Sequence, residues 1–161
     1  MGGGGGKGAV GTGGSMGMGE SHGKLLAREG AKVIVTDVAV DAGEAVAKAI
    51  RGAGGEAVFL RHDVASEADW IAVVDKAVGA FGKIDILINN ARIVIFKPNH
   101  ETTTAEWDRV MSVNSTGVFL GCKHIVPAMK KAGGGSIVNI SSIAGMAGMP
   151  LQAAYQASKG A

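Results

Sequence analysis

Four short segments of this chain are almost continuously apolar and β-branched: Lys32–Asp37 (KVIVTD), Ala57–Arg61 (AVFLR), Ile84–Asn89 (IDILIN) and Ser136–Ser141 (SIVNIS). A strand apolar on both of its faces must be covered on both, which an open antiparallel sheet with one wet face does not provide. Between the segments lie longer amphipathic stretches at Gly17–Glu29, Asp41–Arg51, Glu67–Phe81 and Thr104–Lys131. Strand and helix therefore alternate, and right-handed crossovers assemble such a chain into a doubly wound parallel α/β sheet between two helix layers, a three-layer αβα arrangement. Glycines stand where helices should end in a left-handed residue, at Gly30, Gly54, Gly82 and Gly133. Gly8–Thr12 (GAVGT) is the expected first strand, and its two glycines make it the weakest.

The 161 residues suffice for one domain. Aromatic residues are only 4%, so aliphatic side chains must build the core, and glycine is abundant at 27 residues. The net charge of +2 is too small to argue for a nucleic-acid partner. No apolar run reaches the roughly 20 residues of a membrane helix. Gly2–Gly6 and Lys7 after Met1 lack the apolar stretch of a secretory leader. The Asn-X-Ser/Thr matches at Asn114 and Asn139 then read as chance. The lone Cys122 fits a reducing compartment, and the chain is expected to be cytoplasmic. His22, His62, His100 and His124 show no metal-ligand spacing, and read as surface or internally satisfied histidines.

Glycine is concentrated where chemistry would use it. Gly13, Gly17 and Gly19 lie between the first strand and the first long helix, where a tight backbone and a helix N-terminus can receive a pyrophosphate. The spacing, Gly-x-x-x-Gly-x-Gly, departs from the commoner Gly-x-Gly-x-x-Gly, and in so glycine-rich a chain it is weak evidence by itself. Asp37 strengthens it. This acid ends the second strand eighteen residues after Gly19, where a carboxylate can accept from an adenosine ribose. It would also repel a 2′-phosphate, and neither Met16 nor Val38 offers a cation to hold one, so NAD is favoured over NADP. Residues 1–6 are read as a flexible glycine tail and 7–161 as a dinucleotide-binding domain.

Near the other end stand Ser142 and Tyr155-Gln-Ala-Ser-Lys159. On a helix Tyr155 and Lys159 are i and i+4, so both side chains lie on one face. A phenol is a poor base at neutral pH, and shifting its ionisation by ~3 units takes about 4 kcal/mol. An ammonium at ~4 Å supplies an attraction of that order at an effective dielectric of ~20. Such pairs also decorate solvated helix faces, and alone they specify little.

Together these residues resemble the short-chain dehydrogenase/reductase family. The resemblance runs from about Lys7 to Ala161 and rests on Thr12-Gly-x-x-x-Gly-x-Gly19, Asp63-Val64, Asn89-Asn90-Ala91, Asn114, Ser142 and Tyr155-x-x-x-Lys159 in this order. The stretch from Glu101 to Gly121 looks like members that oxidise secondary and cyclic alcohols. The resemblance implies a Rossmann fold and an NAD-dependent exchange of a secondary, possibly cyclic, alcohol with its ketone. By it, Tyr155 would be the general acid/base, Lys159 would favour the phenolate and hold the nicotinamide ribose, Ser142 would bond the substrate oxygen, and Asn114 would support a water-mediated proton relay. The cofactor would lie on Gly13, Ser15, Met16, Gly17, Met18 and Gly19, on Asp37, on Asp63 and Val64, and on Asn90 and Ala91, with Tyr155 and Lys159 at its nicotinamide end. Asn89 would brace strands. Met146 and Met149 read either as pocket lining or as core filler. The full-length protein is expected to act on a small alcohol or ketone as a homo-oligomer, with no nucleic-acid or membrane partner.

Three residues depart from the family pattern: Arg92 in place of the glycine after Asn-Asn-Ala, and Gly8 and Gly11 in the first strand. Two residues follow Lys159, so the sheet is expected to stop after its fifth strand, leaving Ser136–Ser141 as an apolar edge prone to association and the piece poorly folded and inactive. The alternative reading is an NAD-binding fragment without turnover.

Overall fold

Alternation within the strands decides which core each side chain enters. In the computed structural model, which describes residues 2–161, β2 spans Lys32–Asp37. Val33 and Val35 point to one face, where they pack with Val46, Ala47 and Ile50 of α2 (Val40–Gly52) and with Phe59 of β3 (Glu56–Arg61). Ile34 points to the other face and joins a second core. That core contains Val10 of β1 (Gly8–Thr12), Trp70 and Val73 of α3 (Glu67–Phe81) and Leu87 of β4 (Ile86–Asn89). Leu120 and Ile125 of α5 (Gly117–Lys131) complete it. Two apolar cores, one on each face of one sheet, are what nearly continuous apolar strands require.

The sheet has five strands in the order β3-β2-β1-β4-β5, with β5 at Ser136–Asn139, and every pair is parallel. The chain moves outward from β1 through β2 to β3, then returns to the other side of β1 for β4 and β5. The direction of winding thus reverses between β1 and β4, and their carboxyl ends border a crevice of the kind that binds ligands in open α/β sheets. Helix α1 (Gly17–Arg28) leaves β1 at that end. Gly30, Gly54, Gly82 and Gly133 all have positive φ just beyond their helices, as expected of left-handed helix terminators.

Four expectations are modified. Thr104–Lys131 is not one uniform helix: α4 (Thr104–Met111) passes through a π turn at Ser112–Thr116 into α5. Asn114 lies in that wider turn, 2% exposed, and its amide bonds to the backbone of Ile93 on the neighbouring loop. Ile84 and Asp85 precede rather than belong to β4, and the Asp85 carboxylate instead accepts from the Gly8 N–H at 2.8 Å. β5 is shorter than expected and exposed, because β4 flanks it on one side only. The Gly2–Gly6 run, expected as a flexible tail, is placed in turns against the end of α1, with the Gly4 N–H donating to the Glu29 carbonyl at 3.2 Å. Gly8 and Gly11 also differ from one another. A Cβ at Gly8 would collide with the Lys83 carbonyl oxygen, whereas Gly11 has open space. Among the described residues, no helix is long and apolar enough to cross a membrane.

Candidate active site

The crevice at the carboxyl ends of β1 to β4 is a cleft of about 430 Å³. Its floor is the loop from Thr12 to α1. Gly13 has φ +62°, and a Cβ there would stand 2.8 Å from the Ala91 Cα. A Cβ on Gly19 would strike the Gly13 carbonyl oxygen, so this glycine shapes the cleft without lining it. Ser15, Met16, Gly17 and Met18 line it. Met16 caps α1 with no side-chain bond, so the first-turn N–H groups and their positive dipole end lack a side-chain acceptor.

Asp37 forms the wall beyond. One carboxylate oxygen accepts the Ser15 N–H at 3.1 Å and the other the Ala39 N–H at 3.1 Å. The carboxylate thus ties the end of β2 to the glycine loop. Asp63 and Val64 line the far end, with Asp63 accepting from the Ala65 N–H at 3.0 Å and Val64 packed against Gly117.

The opposite wall is built on one hydroxyl. Thr12 Oγ1 accepts the N–H groups of both Asn90 and Ala91 at 3.0 Å, so the end of β4 is held against the end of β1. The Asn90 amide donates to the carbonyls of Thr12 and Gly13, at 3.0 and 3.2 Å. Asn89 instead turns toward β5 and donates to the Asn139 side-chain oxygen at 2.9 Å, bracing the two strands.

Three buried polar atoms of this cleft have no protein partner: Ser15 Oγ, His62 Nε2 and Asn90 Oδ1. Buried polar groups are ordinarily satisfied, so their convergence on one cleft fits a site that receives a polar ligand. His62 had been expected at the surface or internally satisfied. It lies in the cleft wall, 1% exposed, with Nδ1 3.0 Å from Thr36 Oγ1 and its ring edge-on to Trp70. Burial outweighs the attraction of Asp69 and Asp63 and pushes its pKa down to about 4, so it is neutral at pH 7.

The second cluster is carried by α6 (Ala153–Gly160). Tyr155 and Lys159 share a face, with Lys159 Nζ 5.9 Å from the Tyr155 ring centre. The Lys159 ammonium donates to the Ile140 carbonyl at 2.7 Å. Its pKa is drawn down, first by burial and then by the nearby Arg92 cation. Ser141 Oγ donates to the Lys159 carbonyl at 2.8 Å, whereas Ser142 Oγ accepts from the Ala144 N–H and caps the turn Ile143–Gly145. Asn114 reaches α6 through Ser158, donating to its hydroxyl at 2.9 Å, and makes no bond to Lys159.

The sequence-expected residues thus fall into two groups. Gly13, Ser15, Met16, Gly17, Met18, Asp37, Asp63, Val64, Asn90 and Ala91 line the cleft. Ser142, Tyr155 and Lys159 do not line it, and Asn114 joins the two groups through Ile93 of the cleft and Ser158 of α6. The sequence reading missed Ile93, Arg109, Ser112 and Val113 as cleft residues, and treated Arg92 only as a departure from the family pattern. The last three of the missed residues come from the end of α4 and the π turn, which no local motif marks.

A family model described as short chain dehydrogenase matches residues 7–161. Cyclopentanol dehydrogenase of Comamonas sp. (strain NCIMB 9872) is 47% identical over 150 residues, 93% of this chain and 60% of that protein. The 3-alpha-(or 20-beta)-hydroxysteroid dehydrogenase of Mycobacterium tuberculosis (strain ATCC 25618 / H37Rv) is 45% identical over 154 residues, 96% of this chain and 58% of the relative. The chain therefore spans about three fifths of the length of these curated relatives. The crystal structure of a metagenomic short-chain oxidoreductase in complex with NADP superposes with a TM-score of 0.91 at 38% identity, covering 96% of this chain and 71% of that one. In sequence and in fold alike, the chain belongs to the short-chain dehydrogenase family.

Proposed function

We propose that this protein is a cytoplasmic, homo-oligomeric oxidoreductase that interconverts a secondary, including cyclic, alcohol and its ketone, with NAD as cofactor and Tyr155 as general acid/base. The observation that carries the reading is the cleft at the β1–β4 reversal, where Ser15 Oγ, His62 Nε2 and Asn90 Oδ1 are buried without partners beside the N-terminus of α1. The glycine loop leaves backbone room for a diphosphate, and the donors and acceptors around it fit a dinucleotide. When bound, a nicotinamide dinucleotide supplies the hydride acceptor. Everything else falls to side chains of this chain. Tyr155 takes the alcohol proton, Lys159 steadies the phenolate and holds the nicotinamide ribose, and Ser142 bonds the substrate oxygen.

Asp37 supports NAD over NADP. A 2′-phosphate would face a carboxylate already committed to the Ser15 and Ala39 N–H groups. Cyclopentanol dehydrogenase and the hydroxysteroid enzyme among the relatives support cyclic secondary alcohols as the first substrates to try.

The test is NAD- and NADP-linked oxidation of cyclopentanol, with cofactor affinity measured by calorimetry. Wild type should turn over with NAD and bind it more tightly than NADP. Tyr155→Phe should lose on the order of 10²–10⁴-fold in turnover while binding NAD normally. Full activity in Tyr155→Phe would overturn the assigned base, and tighter NADP binding would overturn the cofactor. Binding without turnover is the second reading, favoured by Lys159 Nζ being bonded to Ile140 and Ser142 Oγ to Ala144. Wild type that binds NAD but oxidises nothing would establish it.

A further inference from the structure

Arg92 lines the cleft, and its surroundings give it a use. The backbone on both of its sides is pinned. Ala91 donates to Thr12 Oγ1 at 3.0 Å, and Ile93 both donates to and accepts from the Asn114 amide at 2.9 Å. Ala91 also lies against Gly13, the first glycine of the loop. The backbone at Arg92 is thereby held, and its exposed side chain lines the cleft with Ser15, Met16 and Gly17. Its guanidinium forms no ion pair with a carboxylate and no hydrogen bond among the described residues, unlike Arg51 and Arg61, which do both. Its charge reaches Lys159, whose pKa burial lowers first and Arg92 lowers further.

We propose that Arg92 is an anion clamp that faces the glycine loop across the cleft and takes the diphosphate of the dinucleotide. The inference rests on the nucleotide reading of the cleft. A guanidinium offers planar paired donors suited to phosphate oxygens, and here its backbone is held in place before any ligand arrives. The loop N–H groups grip the diphosphate from one side and Arg92 from the other. A bound anion would also offset the repulsion between Arg92 and Lys159, so filling the cleft eases the charge on the lysine.

Calorimetric titration of the full chain with NAD, ADP-ribose and adenosine tests this. Arg92→Gly should raise the Kd for NAD and for ADP-ribose about tenfold at low ionic strength and leave adenosine unchanged, since adenosine lacks the diphosphate. The difference should shrink near ~1 M salt, where the screening length is only ~3 Å. Arg92→Lys, which keeps the cation, should recover part of the affinity. Equal or tighter NAD binding by Arg92→Gly overturns the clamp alone. Failure of the wild-type chain to bind both NAD and ADP-ribose overturns the nucleotide reading and the clamp with it.

Discussion

β2 and β5 are written in nearly the same letters, KVIVTD and SIVN, yet their fates differ. Val33, Ile34 and Val35 are at most 2% exposed, whereas Val138 is 44% exposed. The cause is not propensity but company. β2 has β1 and β3 beside it and helices over both faces, while β5 has β4 alone. The cleft grows from the well-covered half, and its walls interlock through Thr12, Asp37 and Asn90. The Tyr155–Lys159 pair grows from the bare half, where Lys159 is bonded to Ile140 and Ser141, and Ser158 to Asn114 and Ser115. Within residues 2–161, the cleft and the Tyr155–Lys159 pair thus stand in surroundings of unequal cover.

Three perturbations probe that inequality, beginning with the one expected to cost most. Gly19→Ala drives a methyl into the Gly13 carbonyl and should destabilise the fold by about 3 kcal/mol. Thermal melting checks the stability, and loss of NAD affinity checks the cleft. A near-neutral substitution would show that the loop yields, and that the covered half is less rigid than its contacts imply.

Acid should attack the same half through His62. Its folded pKa of about 4 lies below its ordinary value of 6.5, so the unfolded chain binds the proton more readily. The stabilisation of the neutral form is complete above pH 6.5 and disappears as pH falls from 6.5 to 4, a loss of about 3 kcal/mol. Urea denaturation across that range measures it, and His62→Asn should flatten the slope.

The smallest effect on stability belongs to the bare half. Val138→Lys on the exposed strand should change stability by less than about 0.5 kcal/mol while suppressing self-association through the open edge. Light scattering with and without the substitution distinguishes an associating edge from a harmless one.

How far sequence reasoning reached follows the same division. The strand pattern, the helix-ending glycines and the loop at Gly13–Gly19 were legible because each rests on local backbone chemistry. Asp37 was legible because it stands at a strand end. The π turn at Ser112–Thr116 was not, since no local motif marks it and its Asn114 finds its partner Ile93 across 21 positions. His62 was not, since whether a histidine is buried depends on Trp70 and Thr36 rather than on its own neighbours in the chain. Arg92 stood out as a departure, but only the pinning of Ala91 and Ile93 reveals where it is held.

The Thr12 hydroxyl carries a consequence of a mechanical sort. One oxygen atom joins the two strand ends on which the cleft walls stand, accepting two N–H groups and donating to the Ile88 carbonyl. Tied at one atom, the ends of β1 and β4 keep their strand spacing at this point of the cleft. What remains adjustable is the length and charge of the side chains that project from the frame, Met16, Met18 and Arg92 among them. A substitution at one of those projections changes what lines the cleft while the Thr12 bonds stay in place.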